Sequence, residues 1–132
     1  MIKQKEMLKT LQGIEPDIQK IYHNYTQALK VAKKENKPIF ILFYTKKCRW
    51  CIKLKKNVLK DKKLIYQLNH EYITLFLNKD MDKYPLSFRV EAVPKVYITD
   101  KEGKEFTSII GYHQDPRDYT KWFDYVQIEL NH

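Results

Sequence analysis

Glycine is scarce in this chain, with 3 residues in 132. That count excludes a Gly-rich phosphate cradle, a collagen-like repeat and a linker-rich architecture, each of which needs many positions free of a Cβ. Metal-ligand chemistry is equally thin. Two cysteines and 4 widely spaced histidines make no zinc pattern. Ile52, where covalent haem attachment needs a histidine after the second cysteine, excludes that cofactor. No metal and no cofactor is expected. No apolar stretch approaches the ~20 residues of a membrane helix, so no membrane span is expected. The start, Met1 to Met7, lacks the apolar core of a signal peptide. Repeats, low-complexity tracts and internal linkers are missing too.

What remains is the composition of one ordinary domain. Hydrophobic residues make up 43% and aromatics 14%, enough for a real core, and a chain of this length buries roughly two-thirds of its unfolded surface. Lys and Arg number 25 against 16 Asp and Glu, a net charge of +9. Such a surface favours anionic partners. The positive residues are nevertheless spread along the chain with acids interleaved, and no aromatic strand pattern for RNA stacking accompanies them. Nucleic acid is therefore not an expected partner, and a Lys-rich soluble surface is the plainer reading.

Hydrophobic periodicity divides the chain into a polar lead-in, residues 1–16, and a domain, residues 17–132. From Asp17, Ile18, Ile21, Tyr22, Tyr25, Ala28, Leu29 and Ala32 recur at three- and four-residue steps, which predicts a helix with Pro16 in its first turn. Asn36-Lys37-Pro38 ends it. Residues 39–44 are short, apolar throughout and β-rich, as a central strand covered on both faces reads. A second helix is expected from about Arg49 to Leu68, with a bend near Lys60-Asp61 and with Lys53, Lys55, Lys56, Lys60, Lys62 and Lys63 mostly outward. Strands follow at Tyr72–Leu77, Lys95–Thr99 and Glu105–Ile110, the last two joined by a turn in which Gly103 takes positive φ. Asp115-Pro116-Arg117-Asp118 opens a final helix with Asp115 as N-cap; Tyr119, Trp122, Phe123, Val126 and Leu130 share its apolar face. Alternation of strand and helix implies parallel pairing and the tight hairpin an antiparallel pair. The expected architecture is α/β: a mixed sheet of four to five strands flanked by helices, with an extra N-terminal helix.

Cys48-Arg49-Trp50-Cys51 stands where the buried strand hands over to a helix N-terminus. Thiols two residues apart can form a disulfide or remain a dithiol with little backbone movement. Helix dipole and free backbone N–H groups there favour the thiolate, which is the nucleophile. Cys48 is the candidate nucleophile, expected to be exposed and to cap the helix. Cys51, one turn on, is the shielded resolving thiol. Lys46, Lys47 and Arg49 surround Cys48 with positive charge that tunes it. Trp50 is either a docking aromatic or simple packing on a neighbouring loop. Tyr44, at the end of the strand, either packs beside the dithiol or, as the plainer reading, fills the core.

This element order, with the dithiol at the first strand-to-helix junction and Val93-Pro94 before the hairpin, resembles the thioredoxin fold over about residues 17–130. It is similar in particular to bacterial thioredoxin-related, DsbD C-terminal-domain-like domains, which begin with a helix, then Lys-Pro and an apolar strand, here Lys37-Pro38 and residues 39–44. Gly111 matches the family's glycine after the last strand. The resemblance implies that Pro94 is a cis-proline facing the dithiol, and that Val93 offers its backbone N–H and C=O to an extended substrate chain. Three departures mark the site. Lys47 replaces the usual Trp before the first cysteine, Leu42 replaces a buried acid, and Lys95 replaces Thr after the proline. They point to a specialised oxidoreductase rather than a housekeeping thioredoxin.

The expected function is thiol–disulfide exchange with protein substrates through Cys48 and Cys51, served by a redox partner protein that the sequence does not name. The alternative is a thioredoxin-fold module that binds a peptide or protein with its cysteines held as a static disulfide. The expected state is a monomer. By resemblance to exported relatives, the expected compartment is a bacterial periplasm with the export signal trimmed, and the alternative is the cytoplasm.

Overall fold

A computed structural model describes residues 17–131. The lead-in 1–16 and the expected place of Pro16 lie outside the described residues. The elements are β1 (Ile21–Tyr22), α1 (Tyr25–Glu35), β2 (Ile39–Tyr44), α2 (Arg49–Lys53) continuing into a π-helical turn (Leu54–Val58), α3 (Lys62–Glu71), β3 (Ile73–Asn78), β4 (Lys95–Thr99), β5 (Glu105–Ile110) and α4 (Arg117–Leu130). The five strands lie in the order β1-β3-β2-β4-β5. β2 runs parallel to β3 and antiparallel to β4, which pairs antiparallel with β5.

β2 is the middle of this sheet because its residues are apolar on both faces. Phe40 and Leu42 point into a cluster with Leu54, Val58, Leu64 and Phe123, under α2, α3 and α4. Ile39, Ile41 and Phe43 point the other way, into a cluster with Ala28 and Ala32 of α1 and Phe88 of the β3–β4 loop. Strand side chains alternate between faces, so an unbroken apolar run requires two covers. Phe40 meets Phe123 edge-on at 5.7 Å, and Phe43 meets Tyr84 edge-on at 4.8 Å, the geometry that the ring quadrupoles prefer.

The first helix starts later than its periodicity predicts. Ile21 and Tyr22 sit at helical spacing but hydrogen-bond as β1 alongside Thr74 and Leu75 of β3. Asn24 then caps α1, its side chain accepting from the Gln27 N–H at 2.9 Å. The edge of β3 offers unpaired backbone groups, and satisfying them outweighs the weak local helical pattern. At the other end Asn36 takes the left-handed conformation, φ 56, and stops the helix.

The expected helix over 49–68 is two helices. Asp61 breaks it as an N-cap, its carboxylate accepting from the Leu64 N–H at 3.0 Å. In α4 the cap position falls on Pro116 rather than Asp115. The Asp115 carboxylate still accepts the Arg117 N–H at 2.9 Å, one of the donors a helix start leaves over. Buried in that helix, Tyr119 has its hydroxyl pushed up to about 12, mainly by burial, with the His113 N–H bonded to it pulling the other way.

Two glycines take positive φ, Gly103 at 87 and Gly111 at 80. A Cβ on Gly103 would meet the Tyr25 hydroxyl, whereas one on Gly111 would meet open space. Gly111→Ala is therefore expected to cost only the left-handed backbone penalty, about 1 kcal/mol. Gly103→Ala adds a steric conflict and is expected to cost roughly 2–3 kcal/mol. Urea unfolding of both variants checks this, and equal losses would mean that Tyr25 yields freely.

Candidate functional site

Cys48 and Cys51 are joined as a disulfide, their Cα atoms 5.2 Å apart. Cys48 is the N-cap of α2, in extended conformation, and its Sγ accepts the Cys51 N–H at 3.0 Å. A sulfur in that position takes up a donor that the first helical turn leaves unpaired. The chain arrives there from β2 over residues 45–47, so the helix start is fixed to the most buried strand of the sheet. The expected contrast in exposure is small. Cys48 is 8% and Cys51 2% accessible, because the Cys48 side chain folds back onto the helix it caps.

A shallow cleft of about 340 Å³ is lined by Trp50, Val93, Pro94, Gly111 and Tyr112, and by neither cysteine. Trp50, one of the two residues between the cysteines, thus forms part of its wall. The Val93–Pro94 peptide bond is cis. The Gly111 N–H donates to the Pro94 carbonyl at 2.9 Å, tying the end of β5 to the start of β4. Trp50 stacks on Tyr112 at 5.6 Å, the expected packing on a neighbouring loop, and is still 48% exposed. The Lys53 ammonium lies 4.7 Å from the Trp50 ring centroid.

Lys46, Lys47 and Arg49 are exposed, flanking Cys48 in sequence. Leu42 is fully buried in the core, as an apolar residue there should be. Tyr44 is half-buried at the end of β2 and packs against that same core.

Two residues of the site were not foreseen. Tyr112 follows Gly111 and pairs with Trp50, and only the fold brings those two together. Lys55 was expected to face solvent but is 4% exposed, with its ammonium 4.3 Å from the Tyr44 ring centroid and 5.3 Å from that of Phe76. Its position carries a signal. Cys51, Leu54, Lys55 and Val58 fall at i, i+3, i+4 and i+7, the inward stripe of a helix. A lysine there buries its stem and places its charge over aromatic faces.

Among the described residues, no three His, Cys, Asp or Glu side chains gather as a metal site. No helix among them is long and apolar enough to cross a membrane.

Comparison with known proteins agrees with this geometry. The family model of the thioredoxin-like domain matches residues 25–127. The chain belongs to the thioredoxin-like family. Its thioredoxin-like fold is shared with a thioredoxin from Thermus thermophilus, with TM-score 0.69, 17% identity, and coverage of 82% of this chain and 87% of that one. The DsbH oxidoreductase shares it with TM-score 0.57, 19% identity and 83% of each chain covered. In sequence, this thioredoxin-like chain is 27% identical to mouse (Mus musculus) anterior gradient protein 3 over 112 residues, 80% of this chain and 68% of that protein. It is 29% identical to rat (Rattus norvegicus) spermatogenesis-associated protein 20 over 66 residues, 47% of this chain and only 8% of that protein.

The buried lysine gives a direct test. Lys55→Ala is expected to destabilise the domain by roughly 1–3 kcal/mol through lost stem packing and ring contact. Lys55→Glu is expected to cost more, since it places a carboxylate against the negative faces of Tyr44 and Phe76. Denaturant unfolding of the two variants reads the order, and a Glu variant as stable as the parent would refute it.

Proposed function

We propose that this thioredoxin-like domain is a thiol–disulfide oxidoreductase that exchanges disulfides with protein substrates through Cys48 and Cys51. The observation that carries this reading is the Cys48–Cys51 disulfide at the start of α2, its first sulfur in contact with the Cys51 N–H, with Trp50 between the cysteines lining a shallow cleft.

In the reduced protein the Cys51 N–H, together with the exposed charges of Lys46, Lys47 and Arg49, favours Cys48 as a thiolate. That thiolate attacks one sulfur of a substrate disulfide. A Cys48–substrate bond forms, the substrate S–S bond breaks, and the departing substrate thiolate takes up a proton. Cys51 then loses its proton and attacks Cys48 Sγ. The mixed disulfide breaks, the Cys48–Cys51 disulfide forms, and the second substrate thiolate leaves and is protonated. The substrate disulfide gains two electrons and two protons, and the protein dithiol loses them. Run backwards, the same steps oxidise a substrate dithiol. Trp50, Val93 and Pro94 line the surface on which the substrate chain lies, where the backbone of Val93 hydrogen-bonds an extended segment. Val93 is partly exposed there, as that role requires.

The order of attack sets the expected result. Cys51→Ser accumulates mixed disulfides with target proteins, because attack proceeds and nothing resolves it, while Cys48→Ser traps little. The parent protein is expected to accelerate insulin reduction by dithiothreitol. No acceleration would favour a static binding module. Equal trapping by both variants would overturn the assignment of nucleophile and resolver. The proposed compartment, a bacterial periplasm, rests on the resemblance to exported relatives, and fractionation of cells making the native protein decides it against the cytoplasm.

A further inference from the structure

The chain carries no acid between Glu35 and Asp61. That stretch runs from the end of α1 through β2, both cysteines and the π turn. Lys46, Lys47, Arg49, Lys53 and Lys56 all project from it into solvent. Lys53 brings this charge to the cleft wall through its contact with Trp50. Across the cleft, the segment leading to Val93 and Pro94 holds Arg89 and Lys95 against Glu91, and the segment holding Gly111 and Tyr112 has no acid between Glu105 and Asp115.

Ion pairs elsewhere in the domain engage a few cations, as between Lys63 and Asp124 or Arg117 and Asp115, while others, Lys33 and Lys34 included, make none among the described residues. Among the described residues, Lys46, Lys47, Arg49, Lys53 and Lys56 make no ion pair. Like charges gathered without counter-charges raise the energy of the folded state, and a negative partner relieves it. Lys53 is tied to the cleft through Trp50, which is already engaged by Tyr112 and Lys53 rather than open to a stacking base.

We propose that this face docks an acidic protein segment, in which Asp or Glu residues flank the cysteine that exchanges with Cys48. The inference rests on the oxidoreductase reading and narrows its substrate class. The charges steer the encounter and hold the acidic flanks against Lys47, Arg49 and Lys53, while the cleft receives the chain itself.

The test uses the prereduced chain and three synthetic peptides with one disulfide loop in common, flanked by Asp, Asn or Lys. Single-turnover reduction is followed at about 20 mM and about 500 mM salt, between which the Debye length shrinks from about 20 Å to about 4 Å. At low salt the Asp peptide is expected to react at least about tenfold faster than the Lys peptide, and high salt is expected to remove most of that gap. Lys53→Glu with Lys56→Glu narrows the gap, whereas Lys33→Glu with Lys34→Glu, in the last turn of α1, leaves it as it was. Equal rates for the three peptides, or a faster Lys peptide, overturn the acidic-segment inference and leave the oxidoreductase reading standing. No exchange with any peptide overturns both. Binding of a single-stranded oligonucleotide or phosphatidylserine vesicles at concentrations where the Asp peptide does not bind reassigns the face to another polyanion and overturns the inference as well.

Discussion

Strand β2 fixes everything else in this domain. It is hydrogen-bonded on both edges, to β3 and β4, and covered on both faces. Every side chain from Ile39 to Phe43 is fully buried. A polar group within it would be left without water or partner. Because β2 has no freedom to shift, the loop that leaves it delivers Cys48 to a set position, and the first turn of α2 grows from that point. The reactive sulfur therefore inherits its placement from the most tightly held strand of the sheet, although it sits at the edge of the core.

The parts of the fold that were legible in the sequence are those where one local signal dominates. The apolar run 39–44 reads as a doubly covered strand, Asp100 to Gly103 reads as a hairpin turn, and the dithiol lies where a strand meets a helix. The misread parts are those where a long-range pairing overrides a local pattern. Ile18, Ile21 and Tyr22 keep helical spacing, yet the open edge of β3 draws Ile21 and Tyr22 into the sheet. Lys55 looked outward by residue type although its helical position pointed in. At the site, Cys48, Cys51, Trp50 and Pro94 were identifiable from motif and resemblance. Tyr112 was not, because its meeting with Trp50 across more than sixty residues of chain exists only in three dimensions.

Electrostatics in this domain is layered. At the surface the cations around Cys48 are exposed and subject to screening by salt. Beneath them Lys55 holds its charge against the Tyr44 and Phe76 rings, where water is excluded and screening is weak. With Leu42 in place of an acid, no carboxylate on β2 opposes either layer. Salt would thus adjust how partners approach while leaving the inner charge largely as it is.

The π-helical turn links Leu59 N–H to Leu54 C=O, an i→i+5 step at 3.0 Å. It holds one residue more than a regular α-helical turn would. Each residue turns a helix by about 100°. Deleting one residue there would restore an ordinary helix and rotate the cysteines by that angle against α3, or else swing Lys55 off its rings. The domain can therefore lose or gain length at this point only by changing the chemistry above it. A homologue with a shorter segment here should also differ at position 55, which makes the turn a marker for separating lineages within the family.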